Sequence, residues 1–226
     1  MVEPKLSSLL RSSSPSGHLT AVMSNSVASP KDLYIIVTIM LHMSQNYYKI
    51  KIVEALLKEE NHIRGLAKEL ETNQTTIARK INELFNENIV DYKKEGRNKV
   101  YFLKKTLEAF QFVLITEHYK LVEILKKYPY LRKIFQEIIK NRKIKLAILF
   151  GSCARETATK ESDIDIFVET GSRVMKEEIE KLDSRISVKI GKFDRESLLI
   201  KEIEKNHVII KGVELYYEKV GFFEKA

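Results

Sequence analysis

Between residues 144 and 168 the sequence leaves the backbone little freedom. It reads Leu149-Phe150-Gly151-Ser152, ten further residues, then Asp163-Ile164-Asp165-Ile166-Phe167-Val168. The run Ile144 to Phe150 predicts a buried strand, and Asp163 to Val168 predicts a second. A strand that ends in Gly-Ser at the start of a helix lets backbone amides approach phosphate oxygens, with the helix dipole behind them. Ser152 adds a hydroxyl donor. Asp163 and Asp165 lie two apart, so on a strand they share one face. Two neighbouring carboxylates repel unless a cation joins them. Hard oxygen ligands at this spacing suit Mg2+ or Mn2+ bound together with a triphosphate. Such an ion neutralises charge on a transferred phosphorus.

The pattern continues to the C-terminus. A third strand is expected over Ser187 to Ile190, with helices over Arg173 to Leu182 and Glu196 to Lys205. Val208 to Ile210 and Val213 to Tyr217 read as a short closing element, for which a hairpin is one form. Asp194-Arg195-Glu196-Ser197 reads as a helix cap. Cys153, the one cysteine, reads as a small packing residue.

Upstream the periodicity is helical. Ile50, Val53, Leu56 and Leu57 mark one helix from about Tyr47, and Leu66, Ala67 and Leu70 a second, around Ile63 to Leu70. Thr72 or Asn73 caps a third, along which Ile77, Ile81, Leu84 and Phe85 face inward. Ile89 to Lys94 and Lys99 to Leu103 read as a hairpin turning at Glu95-Gly96-Arg97-Asn98, with Gly96 and Asn98 at positive backbone angles. Leu107, Phe110, Leu114, Leu121 and Leu125 then mark a long amphipathic helix, which Pro129 interrupts. Leu131, Ile134, Phe135, Ile138 and Ile139 mark another.

Residues 1–43 differ in composition: nine serines and three prolines fall within the first thirty positions. The segment is expected either to be a disordered extension or, with Met43 as the true start, to lie outside the native chain. The apolar run Leu33 to Leu41 is about half the ~20 residues a spanning helix needs, so no membrane association is expected. A lone cysteine excludes an internal disulfide framework and fits a cytoplasmic protein.

The net charge is +8. It concentrates in residues 104–143, where ten Lys and Arg face four Asp and Glu; residues 44–103 carry eleven against nine. The excess suits an anionic partner.

Three helices and a hairpin over 44–103 resemble a winged helix-turn-helix domain. Gly151-Ser152, ten residues and Asp163-x-Asp165 resemble the smallest members of the nucleotidyltransferase superfamily that includes DNA polymerase beta, over about 144–217. The expected fold is therefore α+β. A winged helix-turn-helix (44–103) leads through a helical connector (104–143) to a small mixed-sheet nucleotidyltransferase domain (144–226).

The resemblance implies Gly151 and Ser152 on nucleotide phosphates, Arg155 at a position often basic, and Asp163 and Asp165 as catalytic metal ligands. The reaction it implies moves a nucleoside monophosphate from a nucleoside triphosphate to a protein or nucleic-acid hydroxyl. Some of the small members are antitoxins that modify a partner toxin. Two departures stand out. Glu156 occupies a place where Gly is usual. Lys189 stands where a third carboxylate is expected, with Asp194, Glu169 and Asp183 as alternatives. Its absence would weaken acceptor activation more than nucleotide binding. The alternative is a catalytically weak or inactive regulator that uses the fold to sense nucleotide or bind a partner.

For the winged helix the resemblance implies DNA. Gln74, Thr75, Thr76, Arg79 and Lys80 would enter the major groove, and Lys93, Lys94, Arg97 and Lys99 on the wing would touch phosphate. The amphipathic connector helices bury their stripes either within the chain or in a homodimer.

Overall fold

The computed structural model describes residues 46–223. The expectations for residues 1–43 lie outside the described residues. Helix α1 occupies 46–58. It is followed by α2 (Ile63–Glu69), α3 (Gln74–Asn86) and the antiparallel strands β1 (Val90–Glu95) and β2 (Asn98–Leu103). This is the winged helix-turn-helix order. Asn73 caps α3, its side chain accepting from the Thr76 amide at 2.7 Å. Ile77, Ile81 and Leu84 are buried, each stabilising by about 1.5–3 kcal/mol through removal of apolar surface from water. Phe85, expected with them, is 42% exposed and rests against Tyr92 on the wing, with ring centroids 6.0 Å apart.

The wing turn is tighter than expected. Glu95 pairs with Asn98, which leaves only Gly96 and Arg97 in the turn. Gly96 has φ 61° and Asn98 belongs to β2, so only the glycine uses the left-handed region. A glycine at the first central position suits the twist of a two-residue hairpin.

Helix α4 (Leu107–Lys127) is capped by Thr106, whose hydroxyl accepts from the Ala109 amide at 3.2 Å. Its buried residues are Ala109, Val113, Thr116, Glu117 and Ile124. The expected leucine stripe is thus rotated: Leu107 is 65% exposed, and Phe110, Leu114, Leu121 and Leu125 are partly buried. The helix packs against different neighbours at its two ends, and Glu117 turns inward to meet polar partners. After Pro129, α5 (Leu131–Lys140) buries Leu131, Ile134, Phe135 and Ile138, while Ile139 faces water.

The C-terminal half holds a four-stranded mixed sheet in the order β5-β4-β3-β6. Its elements in chain order are β3 (Ala147–Phe150), α6 (Gly151–Ala154), β4 (Ile164–Glu169), α7 (Arg173–Glu180), β5 (Ile186–Gly191), α8 (Leu198–Lys205), β6 (Val208–Lys211) and α9 (Val213–Lys219). Strand β3 runs antiparallel to β4 and β6, and β4 runs parallel to β5. Ser197 caps α8, and the Asp194 carboxylate accepts from the Glu196 amide, so this stretch is the cap expected.

The closing element also differs: Val213 to Tyr217 is helical and forms no hairpin with β6. Gly212 ends β6 at φ 85°, and a side chain there would overlap the Lys145 carbonyl. Val213, Tyr216 and Tyr217 then bury at helical spacing.

Apolar packing does not stop where the winged helix ends. One buried cluster contains Leu66, Ile77 and Leu84 of the winged helix. It also contains Val113 of α4, Ile148 and Phe167 of the sheet, and Ile203 and Tyr217 of α8 and α9. A second cluster fills the opposite sheet face under α5 and α7, with Ile134, Ile138, Ile166, Val188 and Ile179. No described helix is long and apolar enough to cross a membrane.

Candidate active site

The site gathers at the end of the central strand pair. Phe150, the last residue of β3, lies opposite Asp165. The chain turns there through Gly151, at φ 71°. A Cβ on Gly151 would overlap the Asp165 carboxylate, so glycine is required twice, by backbone angle and by contact. Asp163 precedes β4 by one residue and is exposed; Asp165 within β4 is half-buried. Their spacing puts both on one face of the strand. Ser152 is half-buried in α6, beside Gly151.

Helix α6 is a single turn of four residues. The expected helix dipole at Gly151-Ser152 is correspondingly small, and the free amides of the turn are its main electrostatic contribution. Arg155 follows as the C-cap, exposed, with its guanidinium 3.6 Å from the Glu202 carboxylate of α8. Glu156, found where glycine is usual, adopts φ 61°. A non-glycine residue in that region costs roughly 1–2 kcal/mol. Lys127 of α4 holds it, donating at 2.9 Å to both its carbonyl and its carboxylate.

The electrostatics are asymmetric. Partial burial and then the neighbouring charge of Asp163 raise the Asp165 carboxyl above its ordinary value; Lys189 and Arg155 pull it back. The influence of Lys189 follows from register. In the parallel β4–β5 pair Asp165 lies opposite Ser187, and Phe167 opposite Lys189. Lys189 therefore occupies the position beside the acid pair that parity assigns to it. Asp194 and Asp183 are engaged elsewhere: Asp194 caps the turn before α8, and Arg185 binds Asp183 through both carboxylate oxygens at 3.0 and 2.8 Å, holding it down to about 2. Glu169 accepts from the Phe193 amide and pairs with Lys219 at 3.0 Å.

Cys153 is fully buried. Its thiol lies 3.9 Å from the Tyr130 hydroxyl, and burial pushes it up, which fits packing and not nucleophilic attack.

Among the described residues no group of three or more His, Cys, Asp or Glu side chains is placed to hold a metal. Asp163 and Asp165 alone cannot form a cage. They do fit Mg2+ or Mn2+ that arrives with a triphosphate, since such ions take one or two carboxylates and complete their shell from phosphates and water.

The residues expected to meet DNA lie apart from this site. Gln74, Thr75 and Arg79 are exposed on α3, and Thr76 is half-buried. Lys80 pairs with Glu83 at 2.8 Å. On the wing Lys93 pairs with Glu60 and Glu95, Lys99 lies 4.0 Å over the Tyr92 ring, and Lys94 and Arg97 are exposed.

A cleft of about 1730 Å³ opens between β2, α4, α8 and α9 and reaches Arg155. Its floor holds a group that the hydrophobic pattern did not announce: Glu117, Lys120, His207 and Tyr217. The only signal was an acidic residue inside an apolar helix stripe.

Residues 131–219 match the family described as polymerase beta, nucleotidyltransferase. No curated protein matches the chain significantly. Among solved structures, the homodimeric winged helix-turn-helix DNA-binding domain Mb0332 of Mycobacterium bovis, a possible ArsR-family transcriptional regulator, is 20% identical. That match covers 41% of this chain and 86% of that one, with a TM-score of 0.30. HlyU from Vibrio cholerae is 23% identical over 40% of this chain and 97% of its own, with a TM-score of 0.31. The adhesin competence repressor of Streptococcus pyogenes is 20% identical over 46% and 81%, with a TM-score of 0.35.

Proposed function

Given a nucleotidyltransferase domain of the polymerase beta family over residues 131–219, we propose that this chain is a cytoplasmic, DNA-binding nucleotidyltransferase. It takes a nucleoside triphosphate and transfers its monophosphate to a protein or nucleic-acid acceptor, with release of pyrophosphate. The observation that carries the reading is Gly151, bent to φ 71° so that its backbone abuts the Asp165 carboxylate.

In this reading the Gly151 and Ser152 amides and the Ser152 hydroxyl bind the triphosphate chain. Asp163 and Asp165 hold Mg2+ or Mn2+ against it. When bound, that ion supplies charge neutralisation at the reacting phosphate. Arg155 exchanges Glu202 for a phosphate oxygen. Partial burial and then the charge of Asp163 raise the Asp165 carboxyl, and a bound cation would favour its ionised form. The winged helix places α3 and the wing on DNA, and the basic 104–143 segment adds to the field.

Lys189 favours a second reading: a DNA-binding regulator that binds nucleotide and turns over weakly or not at all. Either form suits an antitoxin-like protein that represses its own operon, and a neighbouring gene for a small helical ribonuclease would support that role. The deciding experiment incubates the full chain with Mg2+ and each labelled nucleoside triphosphate, alone and with cell extract, beside Asp163→Ala. Label transfer above the variant supports the enzyme. Nucleotide binding without transfer supports the regulator.

A further inference from the structure

The acceptor side of the site has an unusual chemistry. Ser187 lies opposite Asp165 in parallel register, and Lys189 lies two residues on, opposite Phe167. Residues two apart on a strand, and their register partners, share a face. Asp163, Asp165, Ser187 and Lys189 therefore form one surface, with Ser187 half-buried and Lys189 exposed. No third acid or histidine joins the pair in a metal-holding cluster among the described residues.

An alcohol that attacks phosphorus must lose its proton to a base within hydrogen-bond reach. Asp163 and Asp165 are occupied by the cation in the reading above. Glu169, the next acid on that face of β4, is engaged by Lys219 and the Phe193 amide, which leaves a hydroxyl and a lysine, Ser187 and Lys189, as the polar side chains beside the acid pair. An ordinary lysine with a pKa of about 10.4 is no base at neutral pH. A phosphomonoester needs no base. Its second pKa is about 6, so it is largely dianionic at pH 7. Its oxygens also suit a lysine charge and a serine hydroxyl.

We infer that the acceptor is a phosphomonoester, held by Lys189 and Ser187 beside Asp165. The inference rests on the nucleotidyl transfer proposed above and replaces the hydroxyl acceptor that the family resemblance implies. An acceptor phosphate oxygen bonds to the α-phosphorus of the nucleoside triphosphate. The bond from that phosphorus to the α,β-bridging oxygen breaks, and pyrophosphate leaves with the electron pair. The product is a phosphoanhydride, and the nucleophile gives up no proton.

The test supplies the full chain, Mg2+ and α-labelled nucleoside triphosphates with one of three acceptors. These are a 5′-phosphorylated DNA oligonucleotide, its 5′-hydroxyl twin and ribose 5-phosphate. Label is expected on one of the phosphorylated acceptors, and which one takes it identifies a nucleic-acid or a small-molecule source. Label on the 5′-hydroxyl twin at an equal or greater level overturns the inference while transfer itself stands. Absence of nucleotide binding overturns both.

A second measurement needs no turnover. With a non-hydrolysable triphosphate analogue bound, the affinity ratio of the phosphorylated oligonucleotide to its twin is read by fluorescence anisotropy, with ribose 5-phosphate as competitor. Lys189→Ala is expected to reduce the phosphate preference, or the competition, by about tenfold, the equivalent of one charge-assisted hydrogen bond. If neither changes, the inference is overturned.

Discussion

The Tyr217 hydroxyl on α9 donates a 2.8 Å hydrogen bond to Glu117, a carboxylate only 1% exposed in the middle of α4. Lys120, one turn on, reaches the same carboxylate at 3.0 Å. Burial works to raise the Glu117 carboxyl, but Lys120 and its other neighbours outweigh burial and hold it below its ordinary value. The ionised form is therefore the one built into the fold. Tyr217→Phe removes a hydrogen bond to a buried charge and should cost about 1.5–3 kcal/mol. Urea unfolding should show a lower midpoint at unchanged slope.

His207 sits beside this carboxylate network, its Nδ1 3.0 Å from the Ile203 carbonyl and its Nε2 buried without a partner in the described structure. Burial holds the ring down to about 4 from an ordinary 6.5; Lys120 adds to that shift and Glu117 opposes it. The folded state thus keeps His207 neutral where the unfolded chain is already protonated. Its contribution is complete above pH 6.5 and is lost as the pH falls through 4, by up to about 3 kcal/mol. Urea midpoints followed from neutral pH downward should show this loss, and His207→Phe should flatten it.

Gly151→Ala forces a side chain onto a backbone at φ 71° and into the Asp165 carboxylate. A cost of roughly 1–2 kcal/mol is expected from the backbone angle alone, together with loss of nucleotide binding by calorimetry. Gly171→Ala is the control. Nothing lies within 4 Å of its added Cβ, and a surface change of this kind stays within about 0.5 kcal/mol. Equal effects at the two positions would refute the role given to Gly151.

For the winged helix, Arg79 on α3 and Arg97 at the wing tip are exposed. If each touches one phosphate, Arg79→Ala and Arg97→Ala should each reduce the salt dependence of duplex binding by about 0.9 in log–log slope. Lys80 and Lys93 already neutralise Glu83, Glu60 and Glu95, so alanine at either should change the slope less. Anisotropy titrations on one duplex at several salt concentrations measure all four.

Much of this architecture was legible because it is local. Asn73 lies three residues before the Thr76 amide that it caps. Ile77, Ile81 and Leu84 recur at the period of the helix whose core they fill. Lys189 was singled out by the family resemblance, on the strand expected over Ser187 to Ile190, and the β4–β5 register sets it two residues past the partner of Asp165. What stayed hidden is set by distant partners. Glu117 turns inward to meet a tyrosine 100 residues away, which the stripe of leucines on α4 could not convey. Val213 to Tyr217 carries residues that suit strand or helix alike; the close approach of Gly212 to the Lys145 carbonyl decides between them. The small dipole of the single-turn α6 has the same origin: Glu156, at φ 61°, ends the helical path, and Lys127 from α4 stabilises that ending.

One apolar cluster runs from α3 through α4 to the sheet and α9, with α4 packed on β6 and α9. Severing the chain at residue 143 would take from Leu146, Ile148 and Phe167 of the sheet the α4 side chains of their cluster. Where the two halves unfold together, a nucleotide bound at the proposed site at about 100 times its dissociation constant would add some 2.7 kcal/mol to the unfolding of the chain, and α3 would melt later although it lies apart from that site.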